Sequence, residues 1–472
     1  MLVPEPQTNI FLPWGIPLGR TTMATARKTS TPPGAIPLSN ERIAGVLKDI
    51  RGYMDRYLPH FHRCDTGENA TEFVLGLLSK LPRKSAEPIS EIFDRERKVF
   101  QRFVGDSPWD DSAIRAEMSR DIEETIGDPC GVLCLDPSGF PKKGEMSVGV
   151  ASQWCGRLGK TENCQVGVFV SYATPKGRCL VDCQLFLPEK WVDDEERRKA
   201  ARVPKDRRYL THIELASELL LKTSHIPHAG VLADAEFGRD GDFRDGLYAT
   251  EEIVVLAVPS NLEIRIVDRG VVIPAPHKLS EWVASRPKTD WVRVQTRIGS
   301  QGPMTFAALT AEIATLRDDK SIRRETLLVF HPVESPKEIT YAFVKAPPGT
   351  DLQTLIQIAT RRWTIEDCFE RAKTECGMDQ YEVRSWVGWH HHMTMSMLAL
   401  WFLVKLNIAM KGDFPPSDSP VDRADTGRNH IQSSIGPLRA VPADSEKVET
   451  NTRGELLSPE AEKACVQGSC GG

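Results

Sequence analysis

Apolar residues return at every third and fourth position through residues 43–126. In VLKDIRGYMDRYL and ATEFVLGLLSKL this spacing predicts amphipathic helices, and DDSAIRAEMSRDIEETI opens after an aspartate suited to cap one. Beyond residue 126 the period changes. GVLCLD (131–136) is a short apolar run that closes on an aspartate. QVGVFVSYAT and CLVDCQLFL flank PKG and read as a hairpin turning at Pro175–Gly177. The helix ELASELLLK follows, opened by a capping box of Thr211 and Glu214. GVLADAEFG (230–238) is a second apolar run ending in acid, and EIVVLAVP is a further strand. Strand, hairpin, helix, strand, helix, strand predicts a mixed α/β sheet.

Residues 261–350 are less regular but rich in strand-like pieces such as WVRVQTRI, TLLVFHP and ITYAFVKA, and read as a β-rich insertion. After the break at Pro347-Pro348-Gly349, helical spacing returns, with a second helix over Met393–Met410. Residues 1–40 are rich in Pro, Thr and Gly without periodicity. From Gly412 onward Pro, Ser, Asp and Glu dominate, with Phe414 as the only aromatic residue. Both ends therefore read as disordered, and Met23 competes with Met1 as the start. The chain divides into 1–40, a helical region 41–127, an α/β region 128–260, the insertion 261–350, a helical return 351–411 and the tail 412–472.

Composition excludes some classes of function. With 472 residues the chain has ample length for a large core. Its net charge of −5 gives no bulk attraction to nucleic acid, so any such surface is a local patch. Pro4, Pro6, Pro13 and Pro17 interrupt what a signal peptide needs unbroken. Met393–Met410 carries Thr394, Ser396, Lys405 and Asn407, which favours a buried helix over a membrane span. The 11 cysteines form no Cys-x2-Cys pair and read as reduced thiols of a cytosolic protein. Cys130/Cys134 and Cys179/Cys183 have neither the spacing nor the context of a zinc site.

Asp136 and Asp234 close two separate strands, where open α/β sheets place ligands. Glu366 follows on a helix expected to pack against that sheet. Three converging carboxylates suit a pair of hard cations such as Mg²⁺. Arg362 and Lys373 lie 4 and 7 positions from Glu366, on one helical face, and suit phosphates. The plain alternative is a turn-starting aspartate and a solvated ladder of ion pairs. Arg97 and Lys98 in DRERKVFQRF, and Lys142 and Lys143 in FPKKG, divide in the same way between phosphate contacts and solvated surface. Glu236 is a candidate stand-in ligand, placed by a strand period on the side of Asp234. Trp291 reads as a core residue or a base-stacking one. His390-His391-His392 fan out by about 100° per residue and cannot all bind one ion, so they read as hydrogen-bonded or DNA-facing.

Three blocks resemble those of bacterial insertion-sequence transposases: LDPSGFPKKGEMSVGVASQWCGRLGKTENCQVGV (135–168), LADAEFGRDGDFR (232–244) and RRWTIEDCFERAKTECGMDQYEVRSWVGWHHH (361–392). These are RNase H-like DDE enzymes with a Tyr-x2-Arg-x3-Glu-x6-Lys signature, and the likeness spans roughly 40–410. The resemblance implies an RNase H-like mixed-sheet catalytic core (128–260 and 351–411), a DNA-binding helical region (41–127) and the β-rich insertion. It implies Asp136, Asp234 and Glu366 as the catalytic and metal-binding triad, with two Mg²⁺ ions replaceable by Mn²⁺, and Arg362 and Lys373 as basic members of the signature. The expected activity is cleavage of element ends in double-stranded DNA and their transfer to target DNA. A homodimer would act at the bacterial nucleoid, in the cytoplasm and away from membranes. Ala359 replaces the signature tyrosine, Pro137 stands where many relatives carry a second aspartate, and the tail is atypical. Those departures favour one rival, a co-opted, inactive DNA-binding regulator; a second rival is a nuclease or resolvase of the same fold.

Overall fold

A computed structural model describes residues 40–296 and 304–413. The expectations for residues 1–39 and 414–472, including the choice between Met1 and Met23, lie outside the described residues.

Five helices come first: α1 (Asn40–Asp55), α2 (Cys64–Leu78), α3 (Ala86–Ile92), α4 (Arg97–Gly105) and α5 (Asp111–Ile126). Their periodicity is realised as burial. In α2, Ala70, Phe73, Val74, Leu77 and Leu78 turn inward at three- and four-residue intervals. Asp110 caps α5 by accepting from the backbone N–H groups of Ser112 and Ala113.

The sheet begins with β1 (Val132–Pro141), β2 (Ala151–Cys155), β3 (Lys160–Ala173) and β4 (Arg178–Leu185). Short helices α6 (Glu189–Val192) and α7 (Glu195–Ala200) lead to α8 (His212–Thr223), which carries the expected capping box. Then come β5 (Gly230–Ala233), α9 (Ala235–Arg239), α10 (Gly241–Tyr248) and β6 (Ile253–Ala257). β3 pairs antiparallel with β1 and β4, while β5 is parallel to both β1 and β6. The order β4-β3-β1-β5-β6 is the RNase H-like arrangement. β3 is buried at every position from Cys164 to Ala173, so both of its faces are covered. The β2–β3 hairpin escapes the apolar-run reading because Ala151–Cys155 alternates and is largely open to solvent.

The insertion contains β7 (Glu263–Asp268), β8 (Val271–Lys278), α11 (Leu279–Ala284), β9 (Val292–Thr296), β10 (Met304–Leu316), β11 (Ile322–Pro332) and β12 (Thr340–Lys345). It is continuous with the core, because β12 pairs antiparallel with β6 and the whole forms one 12-stranded sheet. A second apolar core lies under it, containing Ile264, Trp282, Ile313 and Phe343, with Trp291 packed at its margin against His331.

Three helices close the described chain: α12 (Leu352–Ala359), α13 (Trp363–Cys376) and α14 (Trp386–Asp413). Trp386–Met410 is long and apolar enough to cross a membrane by composition. Its Met393–Val404 stretch is buried on every side, packed on β4, α2, α4, α5 and α13, as a central core helix requires. The three histidines are core residues and do not face outward. His390 contacts the Trp386 carbonyl, His391 the Val104 and Trp109 carbonyls, and His392 the Gly377 carbonyl. The described cysteines are free thiols.

Candidate active site

Asp136 does not end its strand, as the apolar run suggested; β1 continues to Pro141. What ends there is the pairing with β5, whose last register pair is Leu135–Ala233. Asp136 and Asp234 therefore follow one another across adjacent parallel strands, at the point where the ladder opens. Pro137 fits beside Asp136 because β5 no longer asks for its missing N–H. Its ring points to the opposite face from Asp136, so an aspartate there would not join the same cluster. Ala359, at the signature's tyrosine position, is buried in the main core.

The alternation of β1 puts Cys134, Asp136, Ser138 and Phe140 on one face, and α13 lies along that face. Cys134 Sγ is 3.9 Å from the Arg361 carbonyl and from Thr364 Oγ1. Farther along, Lys373 Nζ donates to Ser138 Oγ at 2.8 Å. The rises match: nine helical steps from Thr364 to Lys373 cover about 13.5 Å, and four strand steps from Cys134 to Ser138 about 13 Å. Helix and strand run in the same direction, which brings Glu366 beside Asp136.

Arg362 donates from Nη2 to Glu366 Oε1 at 3.0 Å, so one rung of the ion-pair ladder does exist. Lys373 is not part of that ladder. Its ammonium lies 5.4 Å from the ring centres of Phe140 and Phe369, and forms no ion pair with any described residue. Burial, and then the charge of Arg157, lower its pKa to about 8.

Negative charge is concentrated at the strand ends. Burial and then Asp234 hold the Asp136 carboxyl well above the usual carboxylate range, with Glu366 and Glu236 adding to the push. Burial and then Glu236 raise Asp234 to about 6. Burial works against the charge of Arg362, but Glu366, Asp136 and Asp234 outweigh it and raise its pKa. Asp234 uses Oδ1 to cap α9, accepting from Glu236 N at 3.0 Å and Phe237 N at 3.4 Å. Its Oδ2 and both oxygens of Asp136 enter none of the described hydrogen bonds.

This donor set of hard, like-charged oxygens with open lone pairs fits a divalent cation. Among the described residues, however, no three acidic, histidine or cysteine side chains already stand close enough to enclose one ion. Glu366 is turned toward Arg362. We expect Asp136→Asn to raise the melting temperature of the cation-free protein at pH 7.5. The folded state holds this proton more tightly than the unfolded one, so stability falls as pH rises from about 4, the unfolded value, toward the raised folded value. Melting in EDTA at pH 4 and pH 7.5 checks this; equal melting temperatures at pH 7.5 would contradict it.

The other candidates are scattered. Lys142 Nζ sits 3.4 Å above the Tyr381 ring and is lowered to about 8 by burial, whereas Lys143 is exposed. Arg97 and Lys98 are exposed on α4, with Arg97 paired to Glu87 at 3.2 Å. Glu236 lies in the first turn of α9 and not on a strand; the turn that Asp234 caps brings it back beside that aspartate. Ser138 was missed, although its position two residues after Asp136 in a strand was a usable signal. A cavity of about 420 Å³, lined in part by Phe73, Trp191 and Arg384, lies away from the carboxylates.

The sequence pattern of the DDE superfamily endonucleases matches residues 56–303, a span containing Asp136 and Asp234. That of the transposase DDE domain matches residues 205–402, containing Asp234 and Glu366. A probable transposase for insertion sequence element IS701 from Microchaete diplosiphon is 28% identical over 230 residues, which are 48% of this chain and 58% of that relative. The chain thus spans little more than half the length of that relative. With more than half of its residues covered by one family pattern and that pattern's sheet at its centre, the chain belongs to the DDE superfamily endonucleases.

Proposed function

We propose that this protein is a transposase that binds the ends of its insertion sequence, hydrolyses a phosphodiester there and joins the freed 3′-hydroxyl ends to target DNA. The observation that carries this reading is the meeting of Asp136, Asp234 and the Arg362–Glu366 pair where β1 and β5 part. In this reading Asp136, Asp234 and Glu366 hold two Mg²⁺ ions, for which Mn²⁺ substitutes. Bound there, such ions would supply activation of a water nucleophile and stabilisation of the leaving oxygen. Arg362 draws the scissile phosphate toward the carboxylates and tempers their mutual repulsion. Lys373, steadied by Ser138 and two aromatic rings, keeps spare N–H donors for a neighbouring phosphate. Lys142, Lys143, Arg97 and Lys98 extend the DNA contact, the helical region recognises the ends, and a homodimer pairs them at the nucleoid.

The test is incubation with DNA from the borders of the encoding gene, scoring cleavage and joining. Activity is expected with Mg²⁺ or Mn²⁺ and not with Ca²⁺, whose looser coordination does not suit in-line chemistry. Robust cutting in EDTA would sink the proposal, and cleavage without joining would leave a nuclease of the same fold.

A companion prediction concerns Lys373. Lys373→Ala should weaken end binding and reduce its log–log salt slope by about 1. Because its pKa lies near 8, its contribution fades as pH rises through that value, and Lys373→Arg should flatten the profile between pH 7 and 9. Titration of binding against salt and pH checks both. An unchanged slope would return Lys373 to a purely structural role.

A further inference from the structure

The connection from β4 to α8 carries a charge that the chain as a whole does not. Of the twelve residues 197–208, seven are Lys or Arg and one, Asp206, is acidic, in a chain of net charge −5. Four acidic residues at 193–196 come just before. The dipole of α7 accounts for acids at its start and for Arg197, Arg198 and Lys199 in its last turn. It does not account for Arg202, Lys205, Arg207 and Arg208, which lie beyond that helix.

Two of these cations fold the connection. Arg198 donates to the carbonyls of Val192 at 3.2 Å, Pro204 at 3.0 Å and Arg207 at 2.7 Å, and forms no ion pair with a described residue. Arg207 is partly buried, with its guanidinium 5.4 Å from the Trp386 ring centre. The connection is also stitched to two neighbouring loops. Arg197 donates to the Glu145 carbonyl at 2.5 Å, the Trp386 N–H to the Ala201 carbonyl at 2.8 Å, and the Val148 N–H to the Arg384 carbonyl at 2.9 Å. Nearby acids are engaged, Asp106 with Arg202 and Glu382 with Arg83. Lys143, Lys199, Lys205, Arg208 and Arg384 are exposed on the three joined segments, and none forms an ion pair with a described residue. Like charges gathered without a counter-charge repel one another, and a polyanion offsets that repulsion. Because the backbone beneath them is already fixed, little ordering entropy opposes such binding.

Both ends of this surface adjoin the candidate active site. Lys143 lies two residues past Pro141, the end of the strand that holds Asp136. At the other end, Tyr209 packs on Phe186 at 6.2 Å between ring centres, and Phe186 on His212 at 4.2 Å. His212 Nδ1 is in turn 2.5 Å from Oε1 of Glu236, which follows Asp234 by two residues. We propose that the β4–α8 connection, with Lys143 and Arg384, is a preformed phosphate-binding surface that holds a DNA duplex beside the carboxylates through its backbone, without regard to base sequence. This inference rests on the reading of the protein as an enzyme acting on DNA. It assigns to the catalytic core a share of DNA binding that the helical region alone does not carry.

The experiment is binding of the full chain to a fluorescein-labelled DNA duplex of arbitrary sequence, followed by anisotropy at rising NaCl, with thermal melts as a control for folding. With Lys199→Ala, Lys205→Ala and Arg208→Ala combined, the log–log salt slope should fall by about 3, and affinity at about 0.15 M salt by about 10²-fold. Arg384→Ala alone, on a different segment, should take about 1 from the slope. Arg120→Ala, Lys176→Ala and Lys222→Ala combined remove the same charge from exposed positions elsewhere, and should change the slope by less than about 1. Wild-type slope and affinity in the first triple overturn this inference alone. Equal losses in the two triples overturn it too, because bulk charge then explains both. Tighter wild-type binding to duplex RNA or to anionic lipid vesicles, lost in the first triple, would assign the surface to another polyanion and overturn the DNA assignment. A wild-type chain that binds no duplex DNA overturns the reading as a DNA enzyme as well.

Discussion

Replacing Glu366 with glutamine is expected to lower cleavage of element-end DNA by about 10³-fold or more while the protein stays folded and bound to DNA. A cation-binding carboxylate supports several kcal/mol of transition-state stabilisation, and each 1.4 kcal/mol is about tenfold in rate. The amide keeps the shape and loses the charge. Stability should barely change. Glu366 is 56% exposed and its partner Arg362 26%, and surface pairs four residues apart on a helix contribute only about 0.3–0.5 kcal/mol. Loss of a negative charge beside DNA phosphates should leave binding intact or slightly tighter. Single-turnover cleavage, together with a binding assay on the same DNA, measures both effects. Near-normal cleavage would mean that Arg362 and Glu366 are a surface ion pair and nothing more.

The second large effect is on stability and lies far from the carboxylates. Arg115, in α5, is only 3% exposed, and its Nε is 2.5 Å from Asp182 Oδ1 on β4. Its Nη1 is 2.5 Å from Asp111 Oδ2 and 2.8 Å from Thr394 Oγ1 on α14. One guanidinium therefore ties the helical region to the sheet and to the core helix. Arg115→Leu leaves two buried or half-buried aspartates without their cation, which costs about 3–5 kcal/mol. For a chain of this size that lowers the melting temperature by roughly 4–6 °C. Replacing Arg115, Asp111 and Asp182 together with apolar or amide residues of similar size should restore much of the loss, because the penalty comes from the stranded charges. A drop of less than about 2 °C in Arg115→Leu would show that water reaches and rescues these aspartates.

Much of the fold was legible because burial imposes a period on the chain. The helices of residues 43–126, the turn at Pro175–Gly177 and the Thr211–Glu214 capping box all appeared where local chemistry demanded them. The β2 strand was not legible, since it is short and mostly solvent-facing and so lacks the apolar run that marks a buried strand. The insertion was legible as strands but not as a continuation of the core sheet. That depends on β12 pairing with β6, a contact between residues nearly 90 positions apart in sequence, which no local pattern encodes. For α14 the sequence went further: Thr394, Ser396, Lys405 and Asn407 already favoured a buried helix in a stretch long and apolar enough for a membrane span, and the neighbours that enclose Met393–Val404 agree with that reading.

For the candidate site, the sequence by itself determined the chemical inventory: three acidic residues in three blocks, with basic residues four and seven positions from the last of them. Tertiary structure decided where they stand. Strand alternation and the end of the β1–β5 ladder bring Asp136 and Asp234 together. The matched rise of α13 and β1 then separates the surroundings of two cations that looked equivalent on a helical wheel, setting Arg362 against Glu366 and Lys373 against Ser138. Position along the chain fixes which face of its own element a residue occupies. What it meets on that face depends on how the elements pack, and packing is set by the burial of apolar surface over the whole molecule.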